Sequence, residues 1–461
     1  METALRKLIG GLTGLLLAAY AAPAQPAPLT LDQAVQQALA RYPSVKVSLE
    51  RVEAAAAGIN LARTSYLPRA DFLGQVNRAT HNNVFGQLLP QSVIPSMTGP
   101  ALGTNSFDSV WGSAVGGLVS WEPFDFGLRR ANVEISKAAR TRAALELNVT
   151  KLQVASASAD LFLTIAAAQQ TVVAARAGVE RAQVLDQVLE TLVKNELRPG
   201  ADASRSRAEL ALAQTEQIQA EQARDVARAA LAALLGVAPE TIVIEPGALL
   251  SLPAGQDVPA TAPAQHPLAM AAEAAVSEVK AREKALDRSY VPRVYLQGAS
   301  FARGTGIGPD GRTGGAVSGL APNTQNWALG ASVTFPAFDW FSIRAKKEIE
   351  VHNERRAAAS YQQTVQDLNG QVAKARAILE GARRVAQNTP VFVQASRDAQ
   401  VQATARYRAG LASIAEVAEA QRLLTQSEID NALAQLGVWR AMLGVAAAQG
   451  DLTPFLAAVG K

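Results

Sequence analysis

Cysteine is absent from the 461 residues, and histidine occurs only at His81, His266 and His352. The lack of cysteine excludes disulfides, cysteine-based zinc sites and thiol nucleophiles. The three histidines have no second ligand at metal-binding spacing. No nucleophile lies in a pattern with a general base. The sequence therefore predicts that the protein is not an enzyme and uses no metal or other cofactor.

Aromatic residues are also scarce, at 5%, and the formal net charge is only +4. Few aromatics and many alanines indicate narrow seams between helices, not large globular cores. No basic run is interleaved with aromatics, so nucleic acid is not an expected partner. Residues 304–308 have the glycine spacing of a phosphate loop. Because Pro309 and further loop residues follow, and not a helix, a dinucleotide site is excluded.

A long hydrophobic run occurs only at the N-terminus. Residues 8–22 are apolar and follow a short basic region, and Ala22-Pro23-Ala24 matches a signal-peptidase site. We therefore predict a signal peptide at 1–24. The mature chain would begin at Gln25, with no N-terminal cysteine to carry a lipid anchor. No later window is apolar enough for a transmembrane helix, but an exported chain can still enter a membrane as strands.

A switch from helix to strand occurs twice. Ser65-Tyr66-Leu67-Pro68-Arg69 recurs 224 residues later as Ser289-Tyr290-Val291-Pro292-Arg293. Proline prevents the helix from continuing and favours extended backbone before it. The residues that follow alternate, with Phe72 and Val76 on one predicted face and Asp71 and Gln75 on the other. Such alternation is typical of a membrane strand, but a half-buried strand in a soluble sheet has the same pattern and is the favoured interpretation of this segment alone.

Tryptophans favour the membrane interpretation of these strands. Trp111 and Trp121 share a face of the second predicted strand and lie ten residues apart. That spacing would place them near opposite interfaces of a bilayer, as in aromatic girdles. Trp327 takes the place of Trp111 in the second half of the chain. We predict that all three are membrane-interface aromatics.

The two halves of the chain share one order of elements: helix, strand, loop, strand, very long helix, turn, helix. The difference in residue number between matching positions decreases along the chain. Pro43 matches Pro267 at 224, Phe124-Asp125 matches Phe338-Asp339 at 214, Arg198 and Gly200 match Arg408 and Gly410 at 210, and Leu235-Gly236-Val237 matches Leu443-Gly444-Val445 at 208. The predicted strands are 70–78, 110–122, 293–302 and 326–336. The predicted helices are 31–66 with a break near Pro43, 128–195, 202–235, 268–290, 341–407 and 413–449. The predicted divisions are a first repeat at 25–245, a connector at 237–266 and a second repeat at 267–461.

These elements require partners. Four strands are too few to close a barrel, and long helices with narrow apolar stripes need further helices to cover them. Both requirements are met when several copies assemble around one axis. Three copies would supply twelve strands, although the residues alone do not fix that number.

One stretch is specific to a known family. Tyr407-Arg408-Ala409-Gly410-Leu411-Ala412-Ser413 is followed by Glu416-Val417 and Ala420-Gln421. With the duplicated order and the repeated Ser-Tyr-x-Pro switch, essentially the whole mature chain resembles the TolC family of outer-membrane efflux channels. The resemblance implies an α+β membrane protein that forms a homotrimer with a twelve-stranded β-barrel. The barrel would lie among the lipids of a Gram-negative outer membrane, above a long α-helical barrel in the periplasm and a collar containing 237–266.

The resemblance also implies a function. The tunnel would be a passive exit duct of a tripartite efflux or secretion system, docked by a periplasmic adaptor protein and an inner-membrane pump. The turns at 196–203 and 408–413 would be the tips, with Arg198, Gly200, Gly410, Leu411 and Ser413 as docking residues.

Glu416, Glu419 and Tyr407 would line the closed periplasmic entrance, where three copies place six carboxylates around the pore. The first half departs from this pattern, since Ser204, Arg205 and Ser206 stand where an acidic residue is expected. The alternative for the two glutamates is an ordinary solvated helix surface. For the whole chain, the alternative is an exported soluble coiled-coil scaffold or adhesin, which explains the helices but not the tryptophans.

Overall fold

The computed structural model describes residues 28–82, 105–253, 259, 261–308, 310–336 and 338–460. The predicted signal peptide lies outside these residues. The helices are α1 Leu31–Arg41, α2 Pro43–Thr64, α3 Leu128–Lys194, α4 Gly200–Leu235, α5 Pro267–Arg288, α6 Trp340–Arg408, α7 Ile414–Gln449 and α8 Thr453–Val459. The strands are β1 Arg69–Thr80, β2 Ser109–Phe124, β3 Arg293–Thr305 and β4 Thr324–Thr334. The break near Pro43 is confirmed, because α1 ends at Arg41 and Pro43 opens α2, where its missing N–H costs nothing.

The four strands form one antiparallel sheet in the order β1-β2-β3-β4. Residues paired across neighbouring strands share a face, so Phe72, Gly117, Ser300 and Trp327 form one row. The exposed apolar side chains of this face are Phe72, Val76, Val115, Val119, Trp121, Leu296, Trp327, Leu329 and Val333. We call it the apolar sheet face. The opposite face carries Asp71, Gln75, Asn77, Gln297 and Arg303, so the predicted alternation is found.

The long helices form the other part of the molecule. Helix α3 has 67 residues and α6 has 69, which makes each roughly 100 Å long. Helix α3 packs against α2, α4, α5 and α7, and α6 packs against α5 and α7. Among the described residues, no helix combines the length and the hydrophobicity needed to cross a bilayer.

The largest core lies midway along the long helices, where α1, α8 and the connector pack against α3, α4 and α7. Phe162 and Phe455 are fully buried there. The indole Nε1 of Trp439 donates to the carbonyl of Ser251 at 2.8 Å, which fixes the connector to α7. Leu29 and Ile244 form a parallel bridge that ties the chain before α1 to the connector. We call this thickened zone the collar.

A polar cluster fixes the first helix-to-strand switch. The Arg129 guanidinium lies 3.1 Å from a carboxylate oxygen of Asp125, and it donates to the carbonyls of Ser65 at 3.1 Å and Pro123 at 3.2 Å. It also stacks 4.8 Å from the Tyr66 ring. One buried cation thus joins the end of α2, the end of β2 and the start of α3.

The structure corrects the repeat register near the C-terminal ends. The residue that caps α4 is Gly236, with φ 66°, and the residue that caps α7 is Gly450, with φ 83°. These two glycines occupy the same left-handed cap, which favours a residue without a Cβ, so they are the true equivalents at an offset of 214. Gly444 lies inside α7. The offset of 208 is therefore wrong, because a shared Leu-Gly-Val triplet does not identify a helix cap.

Candidate functional site at the end of the long helices

The long helices turn back at two loops with the same geometry. After α3, Glu196 has φ 58° and the N–H of Leu197 donates to the Leu192 carbonyl at 2.9 Å. After α6, Gly410 has φ 73° and the N–H of Leu411 donates to the Arg406 carbonyl at 2.9 Å. Both are Schellman motifs, in which a left-handed residue ends the helix. Glu196 is therefore the equivalent of Gly410, again at an offset of 214.

This equivalence corrects the match of Arg198 and Gly200 with Arg408 and Gly410. Gly200 is the first residue of α4 and does not form the turn. Asp202, the third residue of α4, then corresponds to Glu416, the third residue of α7. The first half does carry an acidic residue at this position. The sequence signal for it was the offset of 214 at Phe124-Asp125, which continues unchanged to the end of α7.

Tyr407 joins the two helical hairpins. Its hydroxyl donates to Oδ2 of Asp202 at 2.9 Å. Arg198 donates to the Tyr407 carbonyl at 2.9 Å, and its guanidinium lies 4.5 Å from the centre of the Tyr407 ring, a cation–π distance. Burial raises the pKa of Tyr407 to about 12, and the hydrogen bond to the Asp202 carboxylate acts in the same direction.

An apolar cluster lies beneath this polar contact. Tyr407 is only 5% exposed and packs with Leu189, Ile414 and Val417, of which Leu189 and Val417 are fully buried. Leu189 belongs to α3 and the others to α6 and α7. The cluster therefore holds the two hairpins together next to their turns.

The two candidate gate glutamates have different surroundings. Glu416 closes a capping box with Ser413, accepting from the Ser413 N–H at 3.1 Å. The Glu419 side chain is 70% exposed and pairs with Arg422, which also lies 3.8 Å from Glu209. Glu416 is thus tied to the helix start, while Glu419 faces solvent one turn further along.

The residues predicted to dock an adaptor lie at or beside the turns. Leu411 and its equivalent Leu197 are both exposed, although they are large and apolar. Ser413 is the N-cap of α7 and Gly410 forms the left-handed turn. The structure thus brings Arg198 to Tyr407 and Ser413 to Glu416.

The three tryptophans all lie on the apolar sheet face, far from the turns. The Trp121 Nε1 donates to the Tyr66 carbonyl at 3.1 Å, at the strand end next to the helices. Trp111 lies under the Arg78 guanidinium, 5.3 Å from its ring centre, near the other end of β2. Trp327 is exposed. Among the described residues, no group of three or more metal-ligating side chains is placed to hold a metal ion.

Known proteins are similar to this chain over most of its length. A sequence model of the outer membrane efflux protein family matches residues 34–237 and 258–451. Protein CyaE of Bordetella pertussis is 24% identical over 402 residues, which cover 85% of this chain and 78% of CyaE.

Solved structures share the fold. The channel protein CusC superimposes with a TM-score of 0.74 at 15% identity, over 94% of this chain and 98% of its own. The outer-membrane channel CmeC of Campylobacter jejuni gives 0.72 at 17% identity, over 91% and 85%. The predicted fold class, with four strands per chain and long paired helices from a duplication, is confirmed. The chain belongs to the outer membrane efflux protein family, and the resemblance to TolC-type channels is confirmed with it.

Proposed function

We propose that the protein is the outer-membrane channel of a tripartite efflux or secretion system. Three copies would close the sheet into a twelve-stranded barrel, since β1 and β4 are edge strands of a four-stranded sheet. The long helices would continue the conduit through the periplasm of a Gram-negative cell.

The observation that carries this proposal is the apolar sheet face. In water, a face that exposes Phe72, Trp327, Leu329 and Val333 would favour aggregation, because it forms a large apolar patch. In a bilayer it is the surface that contacts lipid, while the polar face lines the lumen. The competing candidate, a soluble exported scaffold, leaves this face unexplained.

Fractionation of the cell envelope tests the proposal. The full chain, expressed with its N-terminal segment, should be recovered with outer membranes as a trimer that resists extraction by salt. Recovery in the soluble periplasmic fraction would reject the channel and favour the scaffold.

The turns would be the entrance and the docking surface. Leu197 and Leu411 expose apolar side chains at the far end, which suits the contact with a periplasmic adaptor protein that in turn binds an inner-membrane pump. A photo-crosslinking residue at Leu411 should capture an adaptor in living cells. The same residue at exposed Phe107, which precedes β2 at the other end of the molecule, should not. Equal capture at both positions would contradict docking at the turns.

Glu416 and Glu419 would form the entrance ring, with Tyr407 holding the hairpins beside it. Six carboxylates around a narrow pore favour cations. The double change Glu416→Gln and Glu419→Gln should lower cation preference in planar bilayers. Glutamine also supports the capping box, so folding should be retained. Glu348→Gln with Glu380→Gln removes two charges from α6 away from the turn and is the matched control. Unchanged selectivity in the first variant would reject the ring.

A further inference from the structure

A groove of about 1000 Å³ lies between α3 and α5, directly beneath the strands. Five cations and two carboxylates line it, an excess of three positive charges. The two carboxylates are already engaged. Glu134 lies 2.8 Å from Lys137 within the groove, and Asp287 lies 2.6 Å from Lys347 of α6.

Three of the cations are available to a ligand, and of these Arg130 also interacts electrostatically with Glu134, one turn away on α3. Lys280 pairs with Glu354 of α6 at 3.6 Å. Arg130, Lys284 and Arg288 form no salt bridge with any carboxylate in the part of the chain that the structure describes. All three are exposed. Their shared chemistry suits a phosphate group, which takes charge-assisted hydrogen bonds from arginine and lysine.

The depth of these residues matches a lipid headgroup. Arg130 is the third residue of α3, and Arg288 is the last residue of α5, so both lie where the helices meet the strands. Lys284 lies one turn lower, about 6 Å. The polar layer on each side of a bilayer is about 5 to 7 Å thick. Lys137 and Lys280 lie about 10 Å or more from this level and fall below it.

The groove is continuous with the apolar sheet face. Phe126 lines its upper end and is exposed. Phe124, two residues earlier, is also exposed and pairs with Val294 on the apolar sheet face. A ligand with a phosphate in the groove would therefore lay its apolar part along Phe126 and Phe124.

In the proposed channel, the groove would open to the outside of the conduit. Arg130 precedes Ala159 by about eight helical turns, so the two residues lie on about the same face of α3. Ala159 is fully buried in the collar core. With the collar around the helical wall of the proposed channel, this face of α3 at Arg130 would point outward, towards lipid.

We propose that this groove binds the phosphate headgroup of an anionic phospholipid from the periplasmic leaflet of the outer membrane. The inference rests on the proposed function, because it requires the sheet to lie in a bilayer. Three grooves in a trimer would fix the depth of the channel at the level where helices become strands.

Native mass spectrometry of the detergent-purified full chain, titrated with phosphatidylglycerol, tests the proposal. The groove variant combines Arg130→Gln, Lys284→Gln and Arg288→Gln. The matched control combines Lys151→Gln, Lys374→Gln and Arg376→Gln, which removes the same charge from exposed positions elsewhere on α3 and α6. Each basic group near an anionic headgroup contributes roughly a fivefold preference, so the groove variant should lose at least about tenfold in lipid binding. The control should bind like the original protein.

Two further arms identify the ligand. Phosphatidylcholine should bind less than phosphatidylglycerol, and millimolar inorganic phosphate should not displace the lipid, because phosphate lacks the chains that contact Phe126. Displacement by inorganic phosphate would replace the lipid with a free anion and overturn the proposal. Equal lipid binding by the groove and control variants would overturn it as well.

Different results would reject the lipid site and the channel function. Exposed charge-to-glutamine changes rarely affect folding, and the single change Lys284→Gln, expected to reduce binding about fivefold, serves if the triple variant fails to assemble. A groove variant that reaches the outer membrane as a trimer but binds lipid like the control rejects only the groove. An original chain found in the soluble fraction rejects the channel itself.

Discussion

The two turns at the far end of the long helices have one geometry and two compositions. At the second turn, the left-handed position is Gly410, which adopts φ 73° without strain. At the first, Glu196 adopts φ 58°, which costs a residue with a Cβ about 1–2 kcal/mol. The same turn forms with glycine or with glutamate at this position, so its geometry is set by the ends of the two helices and not by the residue type. The first turn therefore carries strain that the second does not.

The polar contact between the hairpins is equally one-sided. Tyr407 of the second half contacts Arg198 and Asp202 of the first. At the offset of 214, Val193 corresponds to Tyr407 and Ala412 corresponds to Arg198, so the mirrored contact does not exist. The two hairpins therefore share a backbone geometry, whereas the side chains that link them are present in only one of the two mirrored arrangements. Four substitutions test this difference between the two turns.

Leu189→Ala should have the largest effect. Its side chain is fully buried between the hairpins, and removing it leaves a cavity that costs about 2–5 kcal/mol. Hydrogen exchange of peptides covering both turns should rise. Val188→Ala, at an exposed neighbouring position, is the control and should change exchange little. Similar protection in both variants would mean that the apolar cluster does not join the hairpins.

Tyr407→Phe should have the next largest effect, because it leaves the Asp202 carboxylate without its hydroxyl donor at a cost of about 1–2 kcal/mol. The pKa of Tyr407, raised from 10 to about 12, adds a pH dependence. The neutral hydroxyl is the favoured form, so its stabilisation is complete below pH 10 and is lost as pH rises towards 12. An ultraviolet titration should show one tyrosine ionising near pH 12 that is missing from the variant. If the unsubstituted protein showed no tyrosine that ionises near pH 12, the contact would be refuted.

Gly410→Ala should cost about 1–2 kcal/mol, because alanine must adopt a left-handed backbone. Nothing lies within 4 Å of the position of a new Cβ, so the loss would come from the backbone and not from a clash. Thermal unfolding of the purified protein, followed by circular dichroism, measures it. Gly381→Ala, in the middle of α6, is the control and should stabilise the helix.

Glu196→Gly should have the smallest effect and the opposite sign. The substitution relieves the left-handed backbone strain of about 1–2 kcal/mol. It also raises the conformational entropy of the unfolded chain, which lowers the stability of the folded state by about 0.4–1 kcal/mol. The net gain should lie between about 0 and 1.6 kcal/mol in the same thermal measurement. A loss of stability would show that the Glu196 side chain makes a contact that outweighs its backbone strain.

Several features could be predicted from the sequence because local rules decide them. Pro68 and Pro292 stop helices, and the alternation after them specifies strands whose faces the structure reproduces. The turn register could not be predicted in the same way. A glycine match at Gly200 and Gly410 outweighed the cap geometry, which depends on φ angles that a sequence does not show. The role of Asp202 could not be predicted either, because it depends on a contact with Tyr407, which lies 205 residues away in the sequence.

The two helix-to-strand switches differ in a way that has a mechanical consequence. In the first half, Arg129 ties three elements through hydrogen bonds to main-chain carbonyls. Its counterpart in the second half is Ile343, and there Tyr290 and Trp340 meet as rings 5.2 Å apart. Hydrogen bonds fix direction, whereas apolar contacts permit sliding. Near the second switch, α6 is held by this ring contact and by the partly exposed pair Lys347–Asp287 at 2.6 Å, whereas α3 is held by a buried cation bonded to two main-chain carbonyls. Because α6 is about 100 Å long, a tilt of about 5° at its start would move its far end by about 9 Å.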